Sequence, residues 1–75
     1  MLKEFYSTLQ SNYAGLTKES CDEYLKKFLN SYPDVSVEMA MTTLMKLAEE
    51  KKLDEYNFSD GSLKDFMKRV DSYKE

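Results

Sequence analysis

Hydrophobic residues recur at intervals of three or four positions in four segments of the chain. Such spacing places them on one face of an α-helix, because a helix completes one turn every 3.6 residues. We therefore predict helices over residues 2–13, 18–31, 36–52 and 61–73. Their apolar faces are, in order, Leu2, Phe5, Tyr6, Leu9 and Tyr13; Cys21, Tyr24, Leu25, Phe28, Leu29 and Tyr32; Val37, Ala40, Met41, Leu44, Met45, Leu47 and Ala48; and Leu63, Phe66, Met67, Val70 and Tyr73.

Local signals indicate where the first two helices begin and end. Gly15 suits the left-handed conformation that often terminates a helix, and it follows the first segment. Two residues compete to cap the second helix, since Thr17 and Ser20 both carry the side-chain oxygen that an N-cap needs. Pro33 ends this helix, because the residue before a proline is pushed out of the helical region.

The third helix has the widest apolar face, which predicts a central helix in contact with more than one neighbour. It begins at Asp34 or Ser36 by the same capping argument. We expect residues 53–59 to form a loop whose aromatic side chains, Tyr56 and Phe58, reach into the core. A very short extended segment is the alternative. Together these elements predict an all-α class, as a compact four-helix domain with an orthogonal or irregular arrangement.

The composition limits the range of functions. The chain has 75 residues, which is the size of a single domain, so we predict one domain over residues 1–75. It carries one cysteine, no histidine and a net charge of −3. These values favour a cytoplasmic protein with no metal and no cofactor. No segment is apolar enough to predict a membrane helix. The Lys-, Glu-, Tyr- and Asn-rich composition is compatible with an AT-rich bacterial or phage genome.

No catalytic constellation is evident, and we predict that the protein is not an enzyme. Cys21 lies on an apolar face, where a cysteine usually acts as a small buried hydrophobe. A nucleophilic cysteine would need a neighbouring base, and the chain has no histidine to supply one. Adjacent acidic residues such as Asp22 and Glu23 point about 100° apart on a helix, so they do not form a facing acid–base pair.

A DNA-binding regulator of the helix-turn-helix type is the alternative function, with helix 36–52 as the DNA-reading helix. Its exposed side chains would be Glu38, Thr42, Thr43, Lys46, Glu49 and Glu50. Three of these six are acidic and would repel phosphate, which supplies much of the affinity of such proteins. We therefore do not expect nucleic acid to be the partner. Whether the lysines of helices two and four form a basic patch stays open.

Six tyrosines are the unusual feature of the composition. A tyrosine can bury its ring at the edge of a thin core and keep its hydroxyl near water, and it is also enriched at protein interfaces. Rim residues and contact residues are thus both plausible roles. The second role predicts a small, non-enzymatic protein-interaction module, an accessory or inhibitor protein that binds another protein or itself. The candidate partner-binding residues are Tyr6, Tyr13, Tyr32, Met39, Met45 and Tyr56.

Overall fold

The part of the chain that the structure describes forms four helices and is all-α, as predicted. The computed structural model describes residues 2–56, 58 and 61–72. The helices are α1 (Leu2–Asn12), α2 (Lys18–Ser31), α3 (Val37–Glu49) and α4 (Gly61–Ser72). No strand forms within those ranges. The Cα radius of gyration is 11.3 Å, close to the value of about 11 Å expected for a compact chain of this length.

The boundaries of α2 follow from its capping residues. Thr17 is the N-cap, because its hydroxyl accepts a hydrogen bond from the Ser20 N–H at 3.2 Å. The structure thus selects Thr17 over Ser20 as the start of the helix. At the other end, the Tyr32 N–H makes the last helical bond to Phe28 and the chain then reaches Pro33. Gly15 has a φ of +89° in the turn that follows α1, consistent with its predicted role as terminator.

Helix α3 is shorter than predicted. Ser36 is its N-cap and accepts a hydrogen bond from the Met39 N–H at 3.2 Å. The prediction of helix up to residue 52 was wrong, since Lys51 adopts a left-handed φ of 57°. Two bonds close this end, Lys51 N–H to the Ala48 carbonyl at 3.0 Å and Lys52 N–H to the Leu47 carbonyl at 2.9 Å. This is a Schellman motif, with a lysine where glycine is usual.

Helix α3 is the centre of the fold, as its wide apolar face predicted. It packs against α1, α2 and α4. The hydrophobic core comprises Phe5, Leu9, Cys21, Phe28, Ala40, Met41, Leu44, Leu47, Ala48, Leu53, Phe66 and Val70. Cys21 is fully buried within this core, as expected for a cysteine on an apolar face.

Three side chains depart from the predicted faces. Leu2 and Val37 are 53% and 52% exposed, although the spacing placed both on core faces. Each is the first residue of its helix, so its side chain lies at the edge of the core rather than within it. Thr43 was expected on the solvent-facing side of α3 but is fully buried. Its hydroxyl donates to the Met39 carbonyl at 2.9 Å, which satisfies the buried polar group.

The α3–α4 loop is folded against the core. Leu53 is fully buried, and the side chains of Tyr56 and Phe58 are partly buried and packed on the core, as predicted. The ring centroids of Phe58 and Phe28 lie 6.3 Å apart in an edge-on arrangement. Four residues of the predicted loop and last helix, Asn57, Ser59, Asp60 and Tyr73, lie outside the described part of the chain, as does the side chain of Leu63.

Candidate interaction surface

The first predicted contact residue, Tyr6, joins α1 to α2. Its hydroxyl donates a hydrogen bond to the Asp22 carboxylate at 2.5 Å. This bond, with a smaller effect of burial and the nearby negative charge, raises the pKa of Tyr6 to about 12. The Lys18 ammonium lies 5.6 Å from the centre of the Tyr6 ring, within cation–π range. Tyr6 is thus engaged within the protein through both its hydroxyl and its ring.

Two further tyrosines hold the α3–α4 loop in place. The Tyr13 hydroxyl accepts a hydrogen bond from the Leu53 N–H at 2.5 Å. The Tyr24 hydroxyl donates to the Asp54 carboxylate. Burial and this hydrogen bond raise the pKa of Tyr24 to about 12, and burial also raises the pKa of Tyr13. Tyr24 was not among the predicted contact residues, and both hydroxyls connect elements of the fold.

Tyr32 and Tyr56 place their rings against the core from different elements. The Tyr32 ring lies 5.4 Å from that of Phe28 at the end of α2. The Tyr56 ring lies 5.7 Å from that of Phe66 on α4. Both tyrosine side chains are only partly buried, so each retains an accessible edge.

Met39 and Met45, the remaining predicted contact residues, are partly buried on α3. Met45 packs against the core cluster. The six predicted residues are therefore spread over α1, the end of α2, α3 and the loops. All of them except Met39 pack against the core. Two surface grooves are lined by some of these residues together with others that the sequence pattern did not identify.

One groove, with a volume of about 580 Å³, lies between the second half of α2 and the α3–α4 loop. We call it the loop groove. Tyr24, Tyr56 and Phe58 supply its aromatic wall, while Lys27 and Asn30 supply polar groups. Asp54 also lines this groove, and its carboxylate already accepts the hydrogen bond from Tyr24 within the protein.

The second groove, of about 330 Å³, lies between the α2–α3 turn (residues 32–36) and α4. We call it the turn groove. Its lining includes Tyr32, Pro33, Asp34, Val35, Lys64 and Met67. Val37 follows this turn by one residue and is one of two large hydrophobic side chains found exposed in the described chain. Tyr32, Val35 and Met67 make the lining of the turn groove largely apolar.

The turn groove also carries two charges of opposite sign. Asp34 comes from the turn and Lys64 comes from α4, so they stand on different elements of the lining. Both residues are exposed. Neither makes an ion pair with another residue in the described ranges. Sequence reasoning did not bring them together, because thirty positions of chain separate them.

The basic residues near the end of α3 lie close to acids. Glu50 lies 3.6 Å from Arg69 and 4.0 Å from Lys52, and Lys46 lies 3.4 Å from Glu49. These exposed pairs contribute little to stability. They do show that positive charge in this region is interspersed with negative charge, which is unlike the basic surface of a nucleic-acid-binding protein.

Across residues 2–56, 58 and 61–72, no three acidic, cysteine or histidine side chains converge in the way that metal ligands do. Among the same residues, no helix has the length and apolar character needed to cross a membrane. No known protein family matches the chain, and no curated protein or solved structure is significantly similar to it.

Proposed function

We propose that the chain is a non-enzymatic protein-interaction module, an accessory or inhibitory domain that associates with a second copy of itself through the turn groove. The observation that carries this proposal is the largely apolar turn groove, with Val37, which is 52% exposed, one residue beyond the turn that lines it. Contiguous exposed apolar surface is typical of a site that another protein covers. Tyr32 and Met67 belong to residue types that are enriched at such interfaces.

The DNA-binding alternative receives less support. A DNA-reading helix needs one long face free to enter the major groove. Helix α3 packs against all three other helices, and Thr43, one of the six side chains assigned to its exposed face, is buried. A gel-shift assay at low salt tests this alternative, because electrostatic affinity for DNA is greatest there. We expect no shift.

Sedimentation velocity over a concentration series, from micromolar to near-millimolar protein, tests self-association. We expect the weight-average mass to rise with concentration. Val37→Glu places a charge on the proposed contact, and the exposed position at the start of α3 should tolerate an acidic residue. Leu2→Glu is the matched control, since Leu2 is equally exposed but begins α1, away in sequence from the α2–α3 turn.

We expect Val37→Glu to weaken association at least tenfold, roughly the effect of burying one unpaired charge at an interface, and Leu2→Glu to leave it unchanged. A wild-type protein that stays monomeric at near-millimolar concentration would contradict the proposal. An equal loss in both variants would show that the contact is not specific to the turn groove.

A further inference from the structure

We infer that two copies of this chain pair about a two-fold axis at the turn groove, with Asp34 of each copy facing Lys64 of the other. This inference rests on the proposed function and specifies its geometry. In a two-fold dimer the same patch is used by both partners, so that residue i contacts residue j and residue j contacts residue i. Such a patch must be complementary to itself.

The charges of the turn groove meet this requirement. Asp34 on the α2–α3 turn is negative, and Lys64 on α4 is positive. A two-fold axis that passes between them brings the turn of one copy opposite α4 of the other, which creates two equivalent ion pairs. A partner surface of a single sign, such as nucleic acid, would attract one of these residues and repel the other.

The apolar part of the groove supplies the contact area between the charges. Tyr32, Val35 and Met67 are partly buried, so each keeps accessible surface next to the two charged residues. Pro33 is exposed and has a fixed φ, which lowers the entropy lost when the turn is covered. Val37, which follows the turn by one residue, is 52% exposed.

The turn is also held in one conformation before any partner binds. The Val35 N–H donates to the Tyr32 carbonyl at 3.1 Å, and the Tyr32 ring packs on that of Phe28. Ser36 then fixes the start of α3 through its capping bond with the Met39 N–H. A preorganised contact surface loses less conformational freedom on association, which favours binding.

Charge reversal provides a specific test. Asp34→Lys alone places two lysines opposite each other at both symmetric contacts, and Lys64→Asp alone places two carboxylates there. Because an exposed ion pair contributes little by itself and the symmetry doubles the effect, we expect each single reversal to weaken self-association roughly tenfold. Both residues are exposed, so circular dichroism should show an unchanged fold.

Two combinations should restore association. The double variant Asp34→Lys/Lys64→Asp recovers both ion pairs with their signs exchanged, and should associate as the wild type does. An equimolar mixture of the two single variants should form a heterodimer, because every charge then faces its opposite. A fluorescence-labelled copy of one variant, titrated with the other, measures this affinity at two salt concentrations, and the recovered affinity should fall at the higher one.

The outcomes separate the inference from the proposed function. If the wild type associates but the double variant and the mixture are as weak as the single variants, the two-fold arrangement is wrong, while self-association stands. If the single reversals have no effect on a wild type that associates, the contact lies elsewhere and the inference is overturned. If the wild type does not associate at all, the proposed function fails together with the inference.

Discussion

The hydrogen bond between Tyr13 and Leu53 makes the fold sensitive to the loss of one oxygen atom. Leu53 is fully buried, and its backbone N–H donates to the Tyr13 hydroxyl at 2.5 Å. The substitution Tyr13→Phe keeps the ring and removes the acceptor. Because Leu53 is fully buried, its N–H then becomes a buried donor that has lost its partner.

The expected cost follows from that unsatisfied group. A buried donor left without an acceptor costs about 1–3 kcal/mol, and we expect a loss of about 2 kcal/mol here because the rest of the site is unchanged. A domain of this size typically has a stability of about 4–11 kcal/mol. The loss should lower the melting temperature by about 10 °C, since one kcal/mol shifts it by several degrees in a small domain.

Urea unfolding followed by circular dichroism measures this loss as a lower midpoint with an unchanged slope. Tyr6→Phe is the matched control. It also removes one tyrosine hydroxyl hydrogen bond, but its acceptor, Asp22, is a partly exposed carboxylate that water can solvate. We expect a clearly smaller loss in the control. Equal losses in the two variants, or no loss in Tyr13→Phe, would refute the argument from the buried Leu53 N–H.

Two further predictions concern backbone conformation and pH. Lys51→Gly should raise the free energy of unfolding by about 0.5–1 kcal/mol, because Lys51 has a φ of 57° and glycine adopts this conformation without steric cost; a lower urea midpoint would contradict this. The pKa values of Tyr6 and Tyr24 are raised from 10.0 to about 12, so the folded protein holds these protons more tightly than the unfolded chain. Their contribution to stability is complete below pH 10 and is lost as the pH rises toward 12. As the pH rises through this range, the urea midpoint should fall less steeply in the double variant Tyr6→Phe/Tyr24→Phe than in the wild type. An identical pH dependence in the two proteins would refute the assignment of the raised pKa values to these tyrosines.

The helices could be predicted because each has a local cause. The recurrence of Phe5 and Leu9 in α1 requires nothing beyond the helical period, and Ser36 caps α3 through a neighbour three residues away. The end of α3 could not be predicted in this way. Residues 49–52 are all charged helix formers, and the left-handed position falls on Lys51, where the usual glycine signal is missing.

The burial of Leu53 and Thr43 depends on contacts that a local pattern does not contain. Leu53 is held by Tyr13, which lies forty positions earlier in the chain. Thr43 is polar and off the main apolar stripe, but α3 has neighbours on so many sides that this position is also covered. A central helix therefore buries residues that a single-face pattern assigns to solvent.

The sequence identified the tyrosines as candidate contact residues but could not assign their contacts in the fold. Tyr32 lines the turn groove. Tyr6, Tyr13 and Tyr24 use their hydroxyls in hydrogen bonds within the protein. Composition cannot predict which internal bonds a tyrosine makes, because those bonds depend on which elements meet.

At Val37, the burial predicted from the sequence pattern differs from the burial in the structure. Its spacing matches that of Ala40, Met41 and Leu44, so a helical period alone assigns it to the interior. The fold leaves it 52% exposed one residue beyond the α2–α3 turn, although its neighbours on the same face are buried. Leu2 is exposed in the same way at the start of α1, and neither side chain lines the turn groove itself. The two differ in place, since Val37 follows the α2–α3 turn by one residue and Leu2 begins α1. A substitution that weakens self-association at Val37 but not at Leu2 would therefore place the contact near the α2–α3 turn.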